Sequence, residues 1–201
     1  MIDVALQLNV GFPHDDTASA LAGAKNGAPV DVRAPGGGRL TVDPLTNLAR
    51  VEVATTRYGT FIAAAELPVD ALAACLSCHA SRHLDPDNLV VHPREEHSYS
   101  FIGIQFPVLL TLSQGEAVRR ALESAADETV IDLFSGSMTI TRDALDISAD
   151  VRLPALDPNT MLPAEGAPTW NVHGSFHIGG QARAAFLQHI VERIAVERAK
   201  N

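Results

Sequence analysis

The chain has 201 residues, of which 46% are hydrophobic and 19% charged. Disordered chains are apolar-poor and charge-rich, so this one has the material for a real core, in one or two domains with one the simpler reading. Fifteen Lys and Arg against 24 Asp and Glu leave a net charge of −9, which excludes an overall basic footprint for nucleic acid or anionic lipid, and two cysteines exclude a disulfide scaffold.

Val4, Leu6, Leu8 and Val10 alternate along the first ten residues, which predicts a half-buried strand. The same stretch lacks a positive n-region, and Gln7 and Asn9 interrupt it, so no signal peptide is expected. Residues 11–29 mix Gly, Pro, Asp and Ala without a period and read as a loop or arm. Three β-like runs follow: Val30 to Arg33, Leu40 to Asp43 and Ala49 to Thr55. Ala34-Pro-Gly-Gly-Gly38 and Asp43-Pro44-Leu-Thr-Asn47 separate them with turn chemistry, since glycine permits φ > 0 and proline presets a corner. Gly59-Thr-Phe-Ile-Ala63 extends the sheet.

At Pro68 the period changes. Val69, Leu72, Ala73, Leu76 and Ala80 recur at helical spacing, and the helix should end before Asp85-Pro86. Residues 98–106 read as strand, with Pro107 bending or ending it. The surrounding run, Phe101 to Leu112, is too short to cross a hydrocarbon core of roughly 30 Å as a helix, so no membrane insertion is expected. Ser113-Gln-Gly-Glu116 has capping-box spacing and predicts a helix over 114–126. Thr129 to Leu133, Ser137 to Thr141, Asp146 to Leu153 and Thr169 to Ile178 read as strands. A helix over Gln181 to Lys200, with Ala185, Ile190 and Ile194 on one stripe, closes the chain.

An internal echo runs through this order. Leu40-Thr-Val42, Ala49 to Val53, Gly59-Thr-Phe61 and Ala71 to Leu76 resemble Met138-Thr-Ile140, Ala149 to Leu153, Gly174-Ser-Phe176 and Ala182 to Leu187. The expected architecture is therefore a single α+β domain over 1–201. It has mostly antiparallel sheet and about three helices, with related β-meander-plus-helix halves at 30–84 and 128–201 sharing one core.

The sharpest chemical signal is Cys75-Leu-Ser-Cys78-His79. Cys-x-x-Cys-His is the attachment signature of c-type haem, and the segment resembles c-type cytochromes over these five residues. That resemblance implies haem held by Cys75 and Cys78 with His79 as proximal ligand, and Met138, Met161 or another His as distal ligand. Zinc is a second candidate. Cys75, Cys78, His92 and His97 have near zinc-finger spacing, and Cys75, Cys78 or His79, and His83 fall within two turns of one helical face. Thiol redox chemistry is a third, similar to the alkylhydroperoxidase D family, although Arg82 stands where that family has histidine and His83 follows it. Against all three stands plain packing: cysteine is a small, commonly buried hydrophobe, and these two sit on an Ala-rich helix.

Elsewhere, His173-Gly-Ser175 and His177 invite a His-x-Ser phosphoesterase reading, but in a strand the two histidines lie about 13 Å apart and read as a solvated face. Ser113 reads as a cap, not a nucleophile, and no Gly-x-Ser-x-Gly, Walker or dinucleotide glycine pattern occurs. The balance leans away from an enzyme. It favours a non-enzymatic protein acting through self-association or in a larger assembly of virion or secretion type, with no nucleic-acid partner, placed in the cytoplasm or within an assembled particle. The alternative is a metal- or haem-binding protein using Cys75, Cys78 and His79.

Overall fold

The computed structural model describes residues 1–57, 59–73, 99–123, 128–155, 157, 160, 162–163 and 165–200. The chain is α+β, and every ladder among the described residues is antiparallel. The first half runs β1 (Ile2–Pro13), α1 (His14–Lys25), β2 (Val30–Arg33), β3 (Gly38–Asp43), β4 (Leu48–Thr55), β5 (Phe61–Pro68) and α2, described over 69–73. The second runs β6 (Tyr99–Leu110), α3 (Leu112–Glu123), β7 (Glu128–Leu133), β8 (Gly136–Thr141), β9 (Ala144–Pro154), β10 (Thr169–Gly179) and α4 (Gly180–Ala199). The order strand, helix, four strands, helix thus occurs twice.

Two sheets result. β1 and β6 form a two-stranded ribbon paired along its whole length, from Ile2 opposite Leu110 to Pro13 opposite Tyr99. The other eight strands form one sheet in the order β2-β3-β4-β5-β10-β9-β8-β7, two hairpin meanders joined where β5 meets β10. Ribbon and sheet each turn one face inward, because period-two alternation gives every strand an apolar side. Val4, Leu6, Leu8, Val10 and Phe12 on β1 and Ile102, Ile104, Phe106, Val108 and Leu110 on β6 are all buried. They meet Leu40, Val51, Ala63, Met138, Ile147, Val172 and Phe176 of the large sheet in one continuous core.

The ladders register the halves on each other. Gly38 and Gly136, which open β3 and β8, stand 98 positions apart, and at the same spacing Gln7 reaches Gln105, its own partner in the ribbon. On the large sheet the spacing is 111, from Val69 at the start of α2 to Gly180 at the start of α4; it takes Ala64 to Ser175, again its own partner. Both junctions therefore pair a residue with its counterpart, as a two-fold axis through the molecule requires. Two of the sequence echoes align differently in the ladders. Val42 opposite Ala49 and Ile140 opposite Leu145 equate Ala49 with Leu145, because the β8–β9 turn is shorter than the β3–β4 turn. Likewise Gly174 corresponds to Ala63 and not to Gly59.

Several local expectations are corrected. Residues 11–29 are not one loop: β1 continues to Pro13 and α1 follows at once, with the Thr17 hydroxyl donating to the Pro13 carbonyl at 2.8 Å. The stretch looked aperiodic because its core-facing residues, Ala20, Leu21 and Ala24, are mostly small. Pro107 does not end β6, which runs on to Leu110. A two-stranded ribbon leaves each strand an unpaired side, where a residue without N–H is tolerated. The capping box forms two residues earlier than its predicted start. Thr111 Oγ1 accepts from the Gln114 amide at 3.2 Å, and Gln114 Oε1 accepts from the Thr111 amide at 2.7 Å. Since β6 lasts to Leu110, Thr111 is the first residue available to cap, and Glu116 instead pairs with Arg119 and Arg198.

Glycine permits a close approach of ribbon to sheet on β10. A Cβ on Gly174 of β10 would sit 2.5 Å from the ring of Phe106, which crosses over it. That ring meets Phe176 edge-on at 5.2 Å between centroids.

Candidate functional site

Cys75, Cys78, His79, His83, His92 and His97 all lie outside the described residues. The helix leading to them in sequence is described over 69–73, where Val69, Ala71 and Leu72 are buried. Of the two methionines offered as distal haem ligands, Met161 is also outside the described residues, and Met138 is fully buried in the core between β7 and β9. Among the described residues, no group of three or more His, Cys, Asp or Glu is placed to hold a metal ion.

The outer face of the large sheet carries the polar chemistry. The alternation that buries Val172, Gly174, Phe176 and Ile178 turns His173, Ser175 and His177 outward. Each histidine meets an aspartate of β9: His173 Nδ1 lies 2.8 Å from Asp150 Oδ1, and His177 Nδ1 lies 2.7 Å from Asp146 Oδ1. With the carboxylates accepting, both rings carry their proton on Nδ1. Across the sheet, Arg50 donates to Glu52 and Glu66, and the hydrogen bond it gives Glu52 is the main cause of its raised pKa. A shallow depression of about 260 Å³ lies over this face, floored by Ala64, Ser137, Ser148 and Ser175. Ser175 stands between the two histidines on the strand, yet among the described residues no hydroxyl is hydrogen-bonded to either imidazole. The arrangement is two exposed Asp–His pairs, and a nucleophile–base pair is not formed.

A larger feature lies at the sheet's β2 edge. α1 runs alongside this edge strand and leaves a groove of about 600 Å³ between them. Asp16, Ser19, Ala20 and Gly23 form its helical wall, and residues 29–33 form the other. The wall is at i, i+3, i+4, i+7 spacing, the one sequence signal for it, and three of its four side chains are small. The Ala34 amide donates to the Gly38 carbonyl at 2.8 Å, which fixes the ladder phase. By alternation Val30 and Val32 then bond to β3, whereas Asp31 and Arg33 turn their N–H and C=O groups to the open side. Their side chains are exposed on the outer face. Asp31 accepts two hydrogen bonds from Arg39, both at 2.9 Å, and these hold its carboxyl below the usual carboxylate range.

The opposite edge, β7, is built differently. There α3 takes the place of α1, and Gln114 donates its side-chain amide to the Asp132 carbonyl. β7 and the β7–β8 turn also expose Val130 and Phe134, at 58% and 87% of their full surface.

Comparison of the chain with protein-family models, curated proteins and solved structures finds no match. Among the described residues, no helix is long and apolar enough to cross a membrane.

Proposed function

We propose that this protein acts by association, as a self-associating component of a protein assembly. The observation that supports this reading is that the large sheet's two end strands, β2 and β7, pair with no further strand among the described residues. An exposed edge presents a row of unsatisfied N–H and C=O groups, and natural proteins cover or pair such edges or blunt them with charge. The exposed Val130 on β7 and Phe134 at the β7–β8 turn point the same way. Light-scattering mass of the purified chain across a hundredfold concentration range tests the reading. A mass of two or more copies is expected, and a single-copy mass throughout would overturn self-association.

A second reading rests on the sequence alone: both cysteines fall within four residues and are followed by histidine, as Cys75-x-x-Cys78-His79. There the chain would hold zinc or c-type haem, for a structural site or for electron transfer. An absorbance spectrum with elemental analysis separates the two. A Soret band or stoichiometric zinc would establish a cofactor protein, and neither would remove that reading.

A further inference from the structure

Resting on the association reading, we infer that the contact is the β2 edge, and that its occupant is β2 of a second copy, paired antiparallel about a two-fold axis at Val32. The chemistry of the edge is self-complementary. Only Asp31 and Arg33 turn backbone groups outward within this four-residue strand. Centring two such strands on Val32 sets Asp31 of one copy opposite Arg33 of the other, and the reverse. Each of these pairs exchanges both of its N–H···O bonds, and above them a carboxylate faces a guanidinium. Asp31 already has Arg39 on its β3 side, whereas Arg33 is in no ion pair among the described residues. The second copy supplies Arg33 with a carboxylate and gives Asp31 a cation on either side.

The other edge lacks this match. The carbonyl of Asp132 faces outward on β7, so Glu128 and Val130 do too. Two-fold pairing at Val130 would set Glu128 opposite Asp132, carboxylate against carboxylate. Gln114 moreover occupies the Asp132 carbonyl. In the first half, the ladders put Arg33 in the place of Asp132, and the helical position 98 residues before Gln114 is Asp16. A carboxylate has no proton to donate, so α1 cannot close the edge as α3 does. The small wall of Ser19, Ala20 and Gly23 leaves a groove of about 600 Å³ open beside β2. The match extends the eight-stranded sheet across the two-fold into one continuous sheet of both copies.

Charge swapping tests the contact. Arg33→Asp and Asp31→Lys, each alone, put like charges opposite one another and should halve the solution mass. An equimolar mixture of the two variants restores opposite charges in both pairs and should regain the wild-type mass. Asp31→Pro removes one outward N–H from an edge strand, where proline is tolerated, and should also halve the mass. Circular dichroism matched to wild type shows that each variant is folded. A wild type of two or more copies whose mass none of the three variants changes would overturn the β2 contact and leave association standing. A mixture that stays at the reduced mass would also overturn it. A wild type that is a single copy would overturn both.

Discussion

Replacing Gly174 by alanine adds one methyl group at a close contact between ribbon and sheet. The new Cβ would lie 2.5 Å from one carbon of the Phe106 ring and 2.7 Å from two others, where ordinary contacts are 3.4–4 Å. The ring must retreat by about 1 Å, yet it is fully buried and already packed edge-on against Phe176. Overpacking of this kind costs about 1–3 kcal/mol. The loss of glycine's freedom in the unfolded chain returns about 0.4–1 kcal/mol, so a net destabilisation of about 1–2 kcal/mol is expected from urea denaturation. The origin is checked by a cycle with Phe106→Leu, which frees space above the new methyl. Phe106→Leu alone should destabilise. In the Gly174→Ala background its cost should shrink by at least about 0.5 kcal/mol, the mark of residues in direct contact. A Gly174→Ala chain as stable as wild type, or a cycle that closes additively, would refute the packing argument.

Thr111→Ala removes the hydroxyl that caps α3 and should cost about 1 kcal/mol in the same assay, whereas Ser113→Ala should change stability by less than about 0.5 kcal/mol; the opposite order would return the cap to Ser113. Asp43 caps the β3–β4 turn by accepting from the Leu45 amide and then the Thr46 hydroxyl, and these bonds lower its carboxyl from the ordinary 3.8. A carboxyl lowered on folding contributes stability that is present above its unfolded value and lost as pH falls through the folded one. Asp43→Ala should therefore flatten the fall in stability below about pH 4 while lowering stability at neutral pH; an unchanged acid slope would show that the carboxylate does not hold the turn.

The strands were legible wherever a single face is apolar. Val4 to Val10 and Leu40 to Val42 alternate without error, because burial on one side and water on the other leave period two as the only solution. α1 was not legible, since its inward residues include alanines that carry little hydrophobic contrast, and its start is a proline joined directly to a strand. Pro107 misled for a related reason. A proline forbids a ladder bond on one side only, and sequence does not say that β6 has a partner on just one side. The six residues singled out around the cysteines fall outside the described residues. By contrast β2 was read correctly as a strand, yet its importance rests on being last in the sheet. That follows from long-range order and from α1 bearing a carboxylate where α3 bears an amide.

The ribbon has a consequence for synthesis. β1 is synthesised before β6, and its pairing partner ends at Leu110. At about 5–20 residues per second, Val4, Leu6, Leu8, Val10 and Phe12 wait several seconds for β6, an interval in which any other strand can claim them. Closing that contact means tying the first residues to a segment nearly half the chain away, which slows collapse relative to hairpin formation. A stalled nascent chain that ends before residue 99 therefore has β1 without its ribbon partner, open to chaperones and to strand exchange with neighbouring chains.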